Sequence, residues 1–214
     1  MKVLIINASP KPNGSASGQF ADLLLKRLRP DIEKGQNIEA SLIAAHSPSL
    51  KVISELKESL VDSQAIVWIL PLYVDSLPAH MLFILEEILP SLKALGPSTR
   101  LYAVINCGFW EPEHVSLAMN QMRLLAAQSS LTWGQGLAFG GGAAVESAPW
   151  GLFFRGFDRA ITTLAKSISE GSSQPDLLVK IGLPRWLYIL SGNFRWKIWG
   201  RRNGLKAFDL YRRP

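Results

Sequence analysis

A loop rich in serine, glycine and proline follows the first apolar segment and is the strongest candidate for ligand chemistry. It spans residues 8–18 and includes Ser9, Lys11, Ser15 and Ser17. Small residues let backbone N–H groups converge, serine hydroxyls can donate hydrogen bonds, and a helix beginning here would add the positive end of its dipole. These features are typical of a phosphate cradle. An ordinary serine-capped loop remains the alternative.

The loop lacks the signatures of two common nucleotide-binding loops. No Gly-Lys-Ser/Thr sequence closes it as in a Walker A loop, and the GxGxxG fingerprint of dinucleotide-binding folds is absent. The sequence therefore favours a monophosphate as the ligand of this loop.

Two further loops could contact a flat ligand with a polar edge. One is bracketed by Pro71 and Pro78, and it presents four varied side chains: Leu72, Tyr73, Val74 and Asp75. The other runs from Asn106 to Phe109 and contains Gly108, which permits close approach of main-chain N–H groups. Taken alone, the first of these loops is better interpreted as a plain connection between a strand and a helix, with Asp75 or Ser76 as the helix cap.

Other chemically capable residues are interpreted as structural. Cys107 is expected to be a small buried hydrophobe rather than a redox thiol. Gly141, in a run of three glycines, would give flexibility or allow close approach to a ligand, and a flexible turn is the alternative. The three histidines are scattered without metal-ligand spacing, so each is interpreted as a surface or capping residue: His46, His80 and His114. No serine lies in a nucleophile elbow, and no catalytic residue or metal site is predicted.

Strands and helices alternate along the residues that carry these loops. Apolar runs predict strands at 2–7, 38–44, 65–70, 101–106 and 131–139, and helical spacing predicts helices at 18–29, 50–61, 79–95, 112–129 and 152–169. This alternation predicts an α/β fold with a doubly wound, five-stranded parallel sheet in the flavodoxin-like order 2-1-3-4-5. In such sheets ligands bind at the carboxyl ends of the strands, between strands one and three.

The motifs together resemble the flavodoxin-like NAD(P)H-dependent FMN reductase and oxidoreductase family. The similarity covers about residues 1–170, a predicted FMN-binding domain, and depends on three segments: Ser-Pro-Lys at 9–11 with Ser15-x-Ser17, Pro-Leu-Tyr-Val-Asp-Ser-Leu-Pro at 71–78, and Asn-Cys-Gly-Phe at 106–109. The resemblance implies that FMN rather than FAD is bound, with phosphate at the serine loop and the isoalloxazine between the other two. The implied cofactor-binding residues are Ser9, Lys11, Ser15, Ser17, Pro71, Leu72, Tyr73, Val74, Asp75, Asn106, Cys107, Gly108, Phe109 and Gly141. Ala16 departs from the polar residue that many relatives have.

The resemblance implies an enzyme that passes electrons from NAD(P)H to a quinone, a flavin or another small acceptor. Because the cofactor would supply the chemistry, no general acid or base is assigned. Two alternatives stay open: a non-enzymatic electron carrier, and a flavin-free binding module with the same fold.

Composition and charge bear on location. The hydrophobic share of 48% and charged share of 19% are ordinary for a globular protein. A single cysteine excludes an internal disulfide and fits a reducing compartment. The first residues do not read as a signal peptide, and no stretch has the roughly 18 apolar residues of a membrane span. A cytoplasmic location is expected.

The positive charge is concentrated in a C-terminal extension, residues 171–214. This segment has 9 Lys+Arg against 2 Asp+Glu, whereas residues 1–170 have 14 against 15. Aromatic and basic residues alternate over 183–202. The favoured interpretation is that these aromatics pack on the main domain or on a second copy in a homodimer. Peripheral contact of 183–202 with a membrane is the alternative, weakened because Gly192, Gly200 and Gly204 are expected to break a long helix; nucleic acid is not predicted as a partner.

Overall fold

The computed structural model describes residues 1–33, 38–145 and 151–211, so the last three residues of the predicted extension lie outside the described part. The described residues of the chain divide into two compact units, which begin at Met1 and Gly182. The first contains the sheet and the predicted site. The second is a helical segment.

The first unit is built on a parallel sheet whose central strands are buried. The strands are β1 (Lys2–Asn7), β2 (Glu39–Ala44), β3 (Ala65–Pro71), β4 (Arg100–Cys107), β5 (Thr132–Gly140) and β6 (Leu177–Lys180). Their spatial order is β2-β1-β3-β4-β5-β6, and every pairing is parallel. The central strands β1, β3 and β4 are nearly continuous apolar runs because helices cover both faces of a doubly wound sheet.

Helices cover the two faces in separate layers. The helices of this unit are α1 (Ala16–Glu33), α2 (Leu50–Leu60), α3 (Ala79–Leu95), α4 (Ser116–Gln128), α5 (Gly142–Val145) and α6 (Arg155–Ser169). Apolar residues of α2, α3 and α4 form one core cluster with alternate residues of the strands. On the other face, α1 contacts α6, and the rings of Phe20 and Phe157 lie 4.2 Å apart.

The prediction of five strands is wrong by one. Strand β6 comes from the segment assigned to the extension, and it pairs with β5 from Leu137↔Leu177 to Gly140↔Lys180. Asp176 holds it in place, because its Oδ1 accepts hydrogen bonds from the backbone N–H of Gly136 at 2.7 Å and from Trp133 Nε1 at 3.0 Å. A four-residue strand at a sheet edge has too few residues to show a clear pattern.

The second unit contains α7 (Arg185–Arg202), followed by a short 3-10 helix (Ala207–Tyr211). The prediction that glycines break this segment is wrong, since α7 runs through both Gly192 and Gly200. Glycine costs a helix only about 1 kcal/mol, and a Cβ at Gly200 would lie 3.2 Å from Leu210 Cδ2, so the absence of a side chain lets Leu210 pack closely. Gly204, with φ +79°, lies just beyond the helix end, where a left-handed glycine is common.

Candidate functional site

The four predicted loop segments lie at one edge of the sheet, the carboxyl ends of β1, β3, β4 and β5. Backbone hydrogen bonds connect them directly. Leu72 N donates to Asn106 O at 2.7 Å, and Gly141 N donates to Phe109 O at 2.6 Å. Ala8, at the start of the serine loop, donates to Ile69 O at 2.8 Å. The residues proposed from sequence are therefore neighbours in space.

Three buried serines lie between the end of β1 and the first turn of α1. Ser9, Ser15 and Ser17 are 3%, 7% and 1% exposed, whereas residues 10–14 between them are exposed. Ser15 Oγ accepts from Gly18 N at 3.0 Å and so caps the helix. Ser9 Oγ accepts from Lys11 N at 3.2 Å. A hydroxyl that accepts in this way keeps its own proton for donation, so capping and anion binding are compatible.

Two buried carboxamides hold this loop against the sheet. Asn106 Nδ2 donates to Ser17 Oγ at 3.0 Å and to Leu70 O at 3.1 Å. Asn7 Oδ1 accepts from Ser9 N at 3.2 Å. From the sequence, Asn106 was expected beside the flavin ring, and Asn7 was not expected at the site. Side chains at alternate positions of a strand face the same side of the sheet. The Asn106 side chain faces the side that α1 covers, because it contacts Ser17 on that helix.

The loop after β3 forms a tight hairpin with strained backbone. Tyr73 and Ser76 exchange both backbone hydrogen bonds, at 3.1 and 3.0 Å. Between them, Val74 and Asp75 have positive φ angles of +47° and +56°. A positive φ is especially unusual for Val74, because its side chain is β-branched. Gln121, on α4, supports the hairpin by accepting from Leu77 N at 3.3 Å. Gln121 was not expected at the site from the sequence, because it is 44 residues from Leu77 and has no local signal.

The hairpin and the loop after β4 both present apolar surface at this edge. Val74 is 98% exposed, Phe109 is 53% exposed and Tyr73 is 49% exposed. Phe109 is supported by His114, whose ring centroid lies 4.3 Å away. Gly108 is also exposed. Exposed aromatic and aliphatic side chains at the rim of a binding edge are suited to a flat ring system.

Cys107 lies beneath this rim and is 2% exposed. Burial raises the pKa of its thiol to about 11, so the group is protonated at neutral pH. Its sulfur donates weakly to Glu111 O at 3.5 Å. These observations agree with the interpretation of Cys107 as a buried hydrophobe, because a reactive cysteine needs an accessible thiolate.

The glycines after β5 are required by packing within the protein. A Cβ at Gly141, whose φ is +96°, would lie 2.6 Å from Ile181 Cγ2. At Gly142 it would lie 2.6 Å from Asn106 Oδ1. The backbone N–H of Gly141 is already used by Phe109 O. Gly141 therefore packs against Ile181, the residue that follows β6. This close packing requires a glycine at position 141 for a reason other than ligand approach.

Two histidines also lie at this edge, although their spacing in the sequence did not predict a functional site. His46 Nδ1 is 2.6 Å from Ser9 O, and His80 Nε2 is 3.1 Å from Ala45 O. Since a carbonyl oxygen only accepts, each ring nitrogen donates. Partial burial lowers the pKa of His80, so it is neutral at physiological pH. Among the described residues, no group of histidine, cysteine or acidic side chains could hold a metal ion.

Comparison with known proteins supports the fold. Residues 1–100 match the family model Flavodoxin_2, described as a flavodoxin-like fold. An oxidoreductase from Corynebacterium diphtheriae is similar in structure, with a TM-score of 0.59 and 14% identity over 80% of this chain and 96% of that one. An FMN-dependent NADH-azoreductase from Bacillus anthracis, solved with FMN, has a TM-score of 0.56 and 13% identity, covering 78% and 99% of the two chains.

A flavodoxin from Streptococcus pneumonia TIGR4 is similar to the same degree, with a TM-score of 0.53 and 13% identity over 79% of this chain and 99% of that one. No curated protein sequence matches the chain significantly. The resemblance to flavodoxin-like proteins is confirmed. At these identities the structural matches establish the fold and leave the activity to be inferred from the site.

Proposed function

We propose that this chain is a flavin-dependent oxidoreductase that binds FMN and passes electrons from NAD(P)H to a small acceptor such as a quinone or a flavin. The observation that carries the proposal is that three serines between the end of β1 and the first turn of α1 are buried: Ser9, Ser15 and Ser17. This end of α1 lies beside β1 and β3, where strand order reverses and ligands of such folds bind. The names of two similar structures, an oxidoreductase and an FMN-dependent azoreductase, agree with it.

The donor set fits a phosphate monoester. Each serine oxygen accepts a bond from Lys11 N, Gly18 N or Asn106 Nδ2, which directs each hydroxyl proton elsewhere. An 18-residue helix adds the positive end of its dipole. Residues 8–18 contain no acidic side chain that would repel the anion. Three donors and a helix end suit one phosphate, so we assign this loop to the FMN phosphate.

The rim residues fit the ring of the same cofactor. Leu72, Tyr73, Val74 and Asp75 would flank one side, and the segment from Asn106 to Phe109 another. When bound, FMN would supply hydride acceptance and electron transfer. The chain's own residues would orient the ring and shield it from water, while protonated Cys107 would stay outside the redox chemistry.

Replacing Ser15 and Ser17 together by alanine tests the phosphate assignment. Each lost hydrogen bond to a charged group weakens binding by about 1.5–3 kcal/mol, so the dissociation constant of FMN should rise at least about tenfold. Flavin fluorescence quenching measures it, at a temperature where both proteins are folded, because Ser15 also caps α1. Replacing two exposed serines, Ser54 and Ser98, provides the matched control.

An unchanged dissociation constant in the Ser15/Ser17 variant would place the phosphate elsewhere. If the wild-type protein takes up no flavin even with added FMN, or if the extracted flavin is FAD, the proposal fails. The flavin-free binding module would then be the better explanation.

An electron carrier without nicotinamide activity is the second candidate, and the similarity to a flavodoxin favours it. Anaerobic mixing with NADH and with NADPH separates the two. Bleaching of the flavin absorbance by either nicotinamide supports the enzyme. Bleaching by dithionite alone would support the carrier.

A further inference from the structure

Helix α7 presents a continuous row of large apolar side chains. Trp186, Leu190 and Phe194 follow one another at four-residue spacing and are 67%, 57% and 65% exposed. Ile189 and Trp196, beside this row, are 44% and 64% exposed. At 3.6 residues per turn, these five positions occupy an arc of about 160°. Isolated exposed apolar residues are ordinary, but a contiguous group of this size marks a binding surface.

The same helix has only positive charges. Its sequence contains five basic residues and no acidic one. Arg195 and Arg202 lie opposite the apolar row, whereas Arg185 lies about 20° from Trp196, at the edge of the apolar arc. Lys197 and Arg201 lie within the apolar arc near its carboxyl end, where long side chains can lay their apolar stems on the surface and extend their charges outward. The surface therefore combines apolar insertion with attraction to anions.

We propose that α7 binds the surface of an anionic lipid bilayer, with its apolar row in the interface and its arginines at the headgroups. A surface helix with a row of large apolar residues and with basic residues around that row is suited to this position. Trp and Arg are both favoured at the interface between hydrocarbon and water. The described helices include none that is long and apolar enough to cross a membrane, so the contact is peripheral.

Two observations favour lipid over other anionic partners. Exposed Ile189 and Leu190 offer no stacking surface to nucleic acid bases, whereas both can enter the acyl boundary of a bilayer. The continuity of α7 through Gly192 and Gly200 removes the sequence-based objection to a long surface helix. Complementarity between five cations and an anionic surface supplies the long-range attraction.

Co-sedimentation of the full chain with vesicles tests the proposal. Vesicles of phosphatidylcholine mixed with phosphatidylserine should bind the protein, pure phosphatidylcholine should bind it far less, and added salt should weaken the binding. The fluorescence of α7 tryptophans should shift to the blue and be quenched by brominated lipid. Changing Trp186 and Phe194 to serine, or Arg185, Arg195 and Arg202 to glutamine, should each weaken binding about tenfold or more.

Matched variants in the first unit control for general loss of apolar surface or charge. Leu117 and Leu124 on α4, 55% and 60% exposed, are changed to serine. Three exposed cations, Lys26, Arg29 and Lys51, are changed to glutamine. Both sets should bind vesicles like the wild type. Thermal unfolding checks that every variant is folded.

Absence of binding to anionic vesicles overturns the proposal. Binding that is unchanged in the α7 variants but reduced in the control variants overturns it as well. A dimer that the Trp186/Phe194 variant dissociates, without vesicle binding, would assign the surface to a second copy of the chain. Binding to single-stranded nucleic acid without vesicle binding would assign it to that ligand. Both results refute the membrane assignment.

Discussion

Replacing Asn106 by alanine should destabilise the protein and weaken FMN binding at the proposed phosphate site. The side chain is 5% exposed and donates two hydrogen bonds, at 3.0 Å to Ser17 Oγ and at 3.1 Å to Leu70 O. Each such bond contributes about 0.5–1.5 kcal/mol, and a buried acceptor left unpaired adds a cost. We expect a loss of about 2–3 kcal/mol. For a domain of this size, that lowers Tm by about 4–12 °C.

Asn106→Asp separates the two effects. The aspartate has nearly the same size but cannot donate when ionised, and its carboxylate would accept the Ser17 hydroxyl proton that we assign to phosphate. Its negative charge would also oppose an anion nearby. FMN should therefore bind more weakly to Asn106→Asp than to Asn106→Ala.

Thermal unfolding without flavin and a flavin titration provide the two readouts, with Asn193→Ala on exposed α7 as the matched control. If the alanine variant keeps its Tm within about 1 °C, the two hydrogen bonds do not contribute as argued. If Tm falls but FMN affinity is the same in all variants, Ser17 has no part in phosphate binding.

Three further predictions concern the same edge. Gly142→Ala should lower Tm by several degrees, because the new Cβ would lie 2.6 Å from Asn106 Oδ1, whereas Gly108→Ala, with its nearest contact at 3.9 Å, should leave Tm unchanged by differential scanning calorimetry. The free energy of unfolding should fall between pH 9 and 11, because the folded protein holds the Cys107 proton (pKa about 11) more tightly than the unfolded chain (pKa 9.0). Urea titrations should find a smaller fall in Cys107→Ala. Since the pKa of His80 is lowered from 6.5, the unfolded chain binds the proton more readily, and stability should fall as pH drops below 6.5. His80→Gln should reduce that dependence, and equal pH profiles for variant and wild type would contradict it.

Most element positions could be predicted from local pattern. The strand predicted at 65–70 is Ala65–Pro71, and the helix predicted at 79–95 is Ala79–Leu95. Such runs are readable because strands buried on both faces are almost purely apolar, and helices repeat apolar residues every three or four positions. Strand β6 was not predicted because it depends on its partner: pairing with β5 and the hydrogen bonds of Asp176 define it.

The location of the candidate site followed from topology, but its hydrogen-bond partners did not. Parallel strands bring their carboxyl ends to one edge, so loops after β1, β3 and β4 had to meet. The pairing of Asn106 with Ser17 joins residues 89 apart, and that of His46 with Ser9 joins residues 37 apart. No local pattern records which of several buried polar groups will come within hydrogen-bond distance.

The sequence by itself determined the order of the first five strands and their helices, the edge at which the candidate loops would meet, and the positive charge of the C-terminal extension, because each depends on local periodicity or composition. Only the tertiary structure decided that Asn106 faces α1, that Gly141 packs against Ile181, and that α7 continues through two glycines. These outcomes depend on packing between segments distant in the chain. Packing energy of this kind can outweigh the roughly 1 kcal/mol by which a single residue's intrinsic preference favours another conformation.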